Sequence, residues 1–259
     1  MAESVIEPLP SEKRLRFDWI MGVLFHPRRT LEQIAAQPHG VWLVPMLVLT
    51  LSTLGRVLAS GSIRQRILLN AGPVLPPDFQ YYSPEQQAQF MQASQATTGP
   101  VFMYVFPLLA ALLGIWIGWL LVSGMLHLVV TLLGGRGETV YSVNLVAWAS
   151  LPFVFRDLVR IVAMLASGEL IESTGLSGFA PPDPSGGVTY LAALLSVIDI
   201  YLIWHVLLLI TGVRAGNGLS LGKAAGGVLV TIGLVVAFQA LMDYMINRLG
   251  GLTIVRPFF

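Results

Sequence analysis

Long apolar stretches constrain this chain more than any other feature. An α-helix rises 1.5 Å per residue, so about 20 apolar residues cross the roughly 30 Å hydrocarbon core of a bilayer. Five stretches reach that length, at about 41–59, 101–133, 143–166, 188–213 and 223–246. Each must satisfy its own backbone N–H and C=O groups where water is absent, which a helix does. The expected fold is therefore all-α, a polytopic membrane bundle of five transmembrane helices. Composition agrees: 55% of residues are apolar and only 11% are charged, with a mean hydropathy of +0.73. An ordinary soluble domain carries about a quarter charged residues. The second stretch exceeds the bilayer requirement, so it should tilt, bend at Pro107 or project into water. The third is interrupted by Pro152, Arg156, Asp157 and Arg160.

The segments outside these stretches are short. Residues 1–16 read as a disordered cytoplasmic tail, and 249–259 as a short external tail. The first 20 residues carry Glu3, Glu7, Glu12 and Asp18 and no long apolar run, so no cleavable signal peptide is visible and insertion should rely on the first span. Phe17, Trp19, Ile20, Val23, Leu24 and Phe25 then form an apolar group flanked by Lys13, Arg14, Arg16, Arg28 and Arg29. It is too short to cross. A short interfacial amphipathic helix fits, with Arg14, Arg16, Trp19, Arg28 and Arg29 at the lipid surface. The alternative is a cytosolic flap packed on the bundle. A second short helix, Arg28 to Gln37, lies between Pro27 and Pro38.

Residues 61–100 form a polar connection. Within it, Ser83-Pro84-Glu85-Gln86 has the residue order of a helix start: a capping serine, proline at the first helical position, and glutamine to close a capping box. That helix should run to about Gln95, exposed. The connection 167–187 ends in Pro181-Pro182-Asp183-Pro184-Ser185-Gly186-Gly187 and reads as an irregular loop. No internal repeat points to an inverted-repeat transporter.

Charge bias sets an orientation. With the amino terminus inside, the inner segments hold Lys13, Arg14, Arg16, Arg28, Arg29, Arg136, Arg214 and Lys223, and the outer ones only Arg64, Arg66, Arg248 and Arg256. The positive-inside rule then puts the carboxyl terminus outside, or in the lumen of an organelle.

Charges within apolar stretches need partners or a wet cavity. Arg156, Asp157 and Arg160 lie in the third stretch, Asp199 in the fourth and Asp243 in the fifth. Matching their depths pairs Arg156 with Asp199 and Arg160 with Asp243. Such pairs either hold the bundle together or line a polar path for an ion or headgroup. His127 and His205 lack a nearby carboxylate and suit hydrogen bonding between helices better than metal, which wants three or four ligands. Gly114 and Gly118, and Gly218, Gly222 and Gly226, repeat at a spacing of four that suits close helix packing, within the chain or in a homo-oligomer.

Several function classes drop out. A net charge of +1 offers no field for nucleic acid, and the absence of cysteine removes thiolate chemistry and disulfides. GxSxG, HExxH and GxxxxGK[ST] motifs are missing. Gly175-Leu176-Ser177-Gly178 reads as a turn. No enzyme activity and no cofactor are expected. Membrane lipids and other membrane proteins are the expected partners.

One family pattern emerges. Leu24-Phe25-His26-Pro27-Arg28-Arg29-Thr30-Leu31-Glu32-Gln33-Ile34 precedes Trp42-Leu43-Val44-Pro45 at the first span. Leu132-Leu133-Gly134-Gly135 closes the second, followed by Tyr141 and Ala149-Ser150-Leu151-Pro152 in the third, with Trp204 and Thr211-Gly212-Val213 in the fourth. In this order over residues 17–248 they resemble the Yip family, named for interaction with Rab-type GTPases. The resemblance implies a five-helix membrane domain with a cytosolic amino terminus and an external or lumenal carboxyl terminus. Eukaryotic members act in vesicle formation and Golgi–endoplasmic reticulum traffic through Rab binding. A tail of only about 16 residues departs from them, argues against Rab-type GTPase binding and is similar to bacterial members, which implies a bacterial cytoplasmic (inner) membrane.

The resulting expectation is a non-catalytic scaffold or accessory subunit that binds lipid or partner membrane proteins. A small transporter or channel is the alternative.

Overall fold

A computed structural model describes residues 15–71, 75–97, 99–171, 174–181 and 189–254. Most of the expected amino-terminal tail with Arg14, the Pro182–Gly187 part of the long loop and the last residues of the carboxyl tail lie outside the described residues. Among the described residues the chain is helical and has no strand. In order, the helices are α1 (Asp18–Phe25), α2 (Pro27–Ala35), α3 (Leu43–Ala71), α4 (Pro84–Thr97), α5 (Phe106–Leu132), α6 (Thr139–Ala149), α7 (Leu151–Ser167), α8 (Tyr190–Val197), α9 (Ile200–Asn217) and α10 (Leu221–Ile254). A helical membrane bundle accounts for this. Four helical segments are long and apolar enough to cross a bilayer: 43–70, 101–132, 200–217 and 221–248. The α6–α7 stretch, with its three charges, falls short of that standard, so length and composition support four of the five expected spans.

Five rods nevertheless run side by side. Val41 just ahead of α3, and Thr53, Gly55 and Ile63 along it, meet Asn144, Asp157, Ile161 and Met164 along α6 and α7, in the same order. These rods are therefore parallel. The order reverses for α5, where Tyr104 bonds Gln65 and Trp119 bonds the carbonyl of Val143. It reverses again for α9, where His205 faces Ala149 and Gly212 faces Leu145. Lys223 of α10 reaches the carbonyl of Leu133, while Tyr190 at the start of α8 reaches that of Ala237. Chain direction thus alternates from rod to rod.

Two rods are broken, each for a local reason. Pro152 has no N–H and interrupts the third rod, separating α6 from α7 at Ser150. Phe153 N–H turns to the carbonyl of Ser150 at 3.0 Å, which leaves the Ala149 carbonyl without its helical donor. His205 Nδ1–H supplies that bond at 2.7 Å. In the fourth rod, Ile198 is extended and Asp199 caps α9 by accepting from Leu202 N–H at 2.8 Å. The free carbonyls of α8 are covered by the loop turn at Gly175: Leu176 N–H donates to Leu195 O at 2.9 Å and Ile198 O at 3.1 Å. Gly175 has φ +56°, and a Cβ there would strike three carbonyl oxygens of this helix end. The Gly175–Gly178 turn is thus a helix cap. Ahead of α5, where a tilt, a bend at Pro107 or a projection into water is expected, the chain makes a π-helical turn over Val101–Val105.

The first rod extends past 59 because no breaker stands between Gly61 and Ala71, so 61–71 is helix rather than loop. The Ser83–Gln86 capping box forms in both directions, at 3.0 and 3.2 Å, and starts α4. Ahead of the first rod, α1 and α2 pack on the bundle instead of resting on lipid alone. Trp19, expected at the lipid surface, is buried edge-on against Trp148 with ring centres 5.7 Å apart, and Val23, Leu31 and Ile34 are fully buried. Asn144 and Trp148 of α6 grip the connecting segment through His39 and Val41 at 2.8–3.0 Å.

The glycines sort differently from their spacing. A Cβ at Gly114, Gly118, Gly222 or Gly226 would meet nothing within 4 Å, and Gly218 (φ +65°) ends α9 in the left-handed conformation. Close helix contact belongs to Gly212 against Leu145 and Gly216 against Tyr141. The reason is that spacing marks a face of a helix but not which face meets another helix. Gly212→Ala should therefore lower detergent-phase stability by about 1–3 kcal/mol, the usual cost of overpacking. Gly118→Ala should leave the thermal midpoint unchanged or slightly raised, as alanine favours helix. Equal midpoints for the two variants would contradict this packing.

Candidate functional site

The break at Asp199 lies across from α7, and this position decides how the buried charges meet. Arg156 Nη1 is 3.6 Å and Arg160 Nη2 3.8 Å from Asp199 Oδ2. Arg156 and Arg160 are four apart and share a helical face, so one carboxylate serves both. The depth-matched pair of Arg156 with Asp199 is thus present. Arg160 does not pair with Asp243, because Asp199 stands directly opposite the α7 charges. Asp243 lies further along α10, beside Tyr244, whose ring meets that of Tyr190.

Asp157 faces the other side of α7 and is buried. It accepts from Thr53 Oγ1 at 2.8 Å and Ser52 Oγ at 3.3 Å, and Arg56 Nε lies 2.9 Å from its other oxygen. That last contact is a close ion pair whose N–H is poorly aligned for a hydrogen bond. Arg56, Ser52 and Thr53 were not singled out from the sequence. The signal was available: Arg56 is a charge inside the first apolar stretch, and Thr53 sits one turn before it. Together Arg56, Asp157, Arg156, Arg160 and Asp199 tie α3, α7 and α9 into one polar cluster.

Beside this cluster lies a partly open cavity of about 310 Å³. Its polar wall includes Arg56, Asp157, Arg156 and His205. Its other wall is Gly114, Gly118 and Trp119 of α5, with Val236 and Gln239 of α10 beyond. The Gly114 and Gly118 positions are empty of neighbours because they border this space. His205 is engaged by Ala149, and His127 is within reach of the Thr139 and Ser142 hydroxyls at 3.2 and 3.5 Å. The two histidines therefore serve separate helix contacts. Among the described residues no group of three His, Cys, Asp or Glu side chains gathers to hold a metal.

At the opposite end from Met164, Arg16 pairs with Asp18 at 2.9 Å and stacks 4.2 Å over Trp19. Arg28 pairs with Glu32 at 3.1 Å and, like Arg29, is exposed. A second, apolar groove of about 480 Å³ runs between α5 and α10, bordered by Leu132, Leu133, Gly222, Lys223 and Gly226.

No curated protein and no solved structure matches the chain. The family model described as the Yip1 domain does, over residues 21–242. That range begins within α1, contains the first four rods and both breaks, and ends in α10. Matched over most of its length, the chain belongs to the Yip family and is an integral membrane protein.

Proposed function

We propose that this Yip-family protein is a non-catalytic scaffold or accessory subunit that binds lipid or partner membrane proteins. The supporting observation is how its intramembrane charges are used. Each carboxylate in the cluster bridges two helices, Asp157 joining α7 to α3 and Asp199 joining α9 to α7. Polar groups in a bilayer that bridge helices fix their arrangement. A bundle presenting a helix apolar on both sides at one end suits assembly more than turnover.

In this reading the α6–α7 rod is the fifth crossing. It lies parallel to α3 along the bundle, and its charges are matched by Arg56 and Asp199 rather than by lipid. An odd number of crossings puts the termini on opposite sides. The excess of Lys and Arg at the α1–α2 end makes that end cytoplasmic, in a bacterial cytoplasmic membrane. Phe17, Met21 and Phe25, exposed along α1, then sit at the inner lipid surface with Arg28 and Arg29 nearby.

Cysteine scanning with an impermeant thiol reagent tests the topology, since the chain has no cysteine of its own. Gln89→Cys and Gly178→Cys should label from outside, and Gln33→Cys and Ser220→Cys only after lysis; labelling of Ser220→Cys in intact cells would refute five crossings. The clamp is tested by stability. Asp157→Ala should cost about 3 kcal/mol, because it leaves Arg56 without its counter-charge, and Arg56→Gln combined with Asp157→Asn should recover part of the loss. Additive losses would mean that the pair is not coupled. For the role itself, crosslinking in native membranes should recover a defined partner protein or lipid. Ion flux in reconstituted vesicles should equal that of empty vesicles. Flux that requires the wild-type chain and is lost in Arg156→Ala and Asp199→Asn would favour a transporter instead.

A further inference from the structure

The polar cluster is not electrically balanced. Three guanidinium groups, on Arg56, Arg156 and Arg160, face two carboxylates, Asp157 and Asp199, which leaves one positive charge in excess. The excess falls on the Asp199 side. There Oδ1 is taken by the cap to Leu202, and Oδ2 is shared by two arginines at 3.6 and 3.8 Å, beyond hydrogen-bond distance. Arg156 is the group left short. Its Nε is buried without a hydrogen-bond partner, its guanidinium lies 4.5 Å over the Phe153 ring, and the side chain lines the 310 Å³ cavity. Buried donors without acceptors are costly, and more so when charged.

We infer that the cavity binds a phosphate anion through Arg156, with Arg56 supporting it. A guanidinium presents paired donors that match phosphate oxygens, and one negative charge neutralises the cluster. The volume lies at the small end of ligand pockets, about 300–1,000 Å³, and suits a headgroup rather than a whole lipid. Gly114 and Gly118 provide the approach. They leave the α5 wall free of side chains beside Gln239 of α10, so a group attached to acyl chains can enter sideways from the bilayer. Two sources present this chemistry, the headgroup of an anionic phospholipid and free inorganic phosphate. The inference rests on the chain's being embedded in lipid as proposed above but not on the scaffold role; a failed partner crosslink leaves it intact.

The test is lipid retention by native mass spectrometry of the full chain purified in neutral detergent. Phosphatidic acid or phosphatidylglycerol is supplied, with phosphatidylcholine as the reference. The expected result is one anionic lipid retained per protein, and retention reduced about tenfold or more in Arg156→Gln, the loss typical of one charged hydrogen bond. Gly118→Leu puts a side chain into the approach and keeps every charge, and its Cβ has no neighbour within 4 Å, so it should give the same loss in a folded protein. Gly124→Leu, on the same helix with the same empty surroundings but away from the cavity, should retain lipid like wild type. Added inorganic phosphate separates the sources: displacement of the lipid identifies the free anion as a sufficient ligand, and resistance to displacement identifies the lipid as the occupant. Equal retention of phosphatidylcholine overturns the inference. So does retention by Gly118→Leu within about twofold of wild type, which is under 0.5 kcal/mol.

Discussion

Every break in a membrane helix exposes backbone groups that lipid cannot satisfy, and the architecture of this bundle follows from how its two breaks are repaired. Pro152 frees the Ala149 carbonyl, and His205 from another rod fills it. The gap at Ile198 frees the end of α8, and Leu176 from the loop after α7 fills it. Both repairs are made by residues distant in sequence. Each break therefore fixes a neighbour: α9 against α6, and the loop after α7 against α8. A continuous helix would demand neither.

The same breaks place the charges. A helix that restarts in the bilayer needs a cap, and Asp199 supplies one through Oδ1. Its second oxygen is then held at the depth of α7, where Arg156 and Arg160 present their face. Cap and counter-ion are one residue because the break puts a helix start opposite α7. Attraction between charges strengthens as the surroundings become less polar, and so does the penalty for an unmatched one. Asp157, with two hydroxyls and Arg56 around it, is well supplied. Arg156, sharing a single oxygen at long range, is not. The two halves of the cluster thus differ in kind: one closes a helix contact, and the other keeps unused donors facing a cavity.

Much of this was legible in the sequence and some was not, for identifiable reasons. Apolar length located four rods, because hydrocarbon thickness is a fixed ruler; the α6–α7 rod, broken and charged, does not meet that measure. Pro152 marked its break directly. The break at Ile198 had no proline or glycine to announce it; Asp199 followed by an apolar run was the only trace, and the same residue read equally well as a buried charge. The partner of Arg160 was misassigned because depth along straight rods predicts pairing only when the rods are unbroken. Small-residue spacing named Gly114 and Gly118 as contacts, although they border empty space. Gly212 and Gly216, which do pack closely, are also four apart, so the spacing alone does not tell a face that meets another helix from one that borders open space.

The amino-terminal helix shows why a flap and an interfacial helix were hard to tell apart. Successive residues on a helix are about 100° apart, so residues two apart lie on nearly opposite faces, while residues four apart lie within about 40°. Trp19 and Val23 therefore share one side of α1, and Phe17, Met21 and Phe25 share the other. The first side is buried against α6 and α2; the second is exposed. Sequence composition sums the two sides into a single apolar run between cations. A helix apolar on both sides satisfies both descriptions, provided that protein covers one side and lipid the other. In the reading proposed above the bundle ends near the level of the headgroups at α1, with Arg28 and Arg29, exposed on α2, where anionic lipid surfaces would attract them.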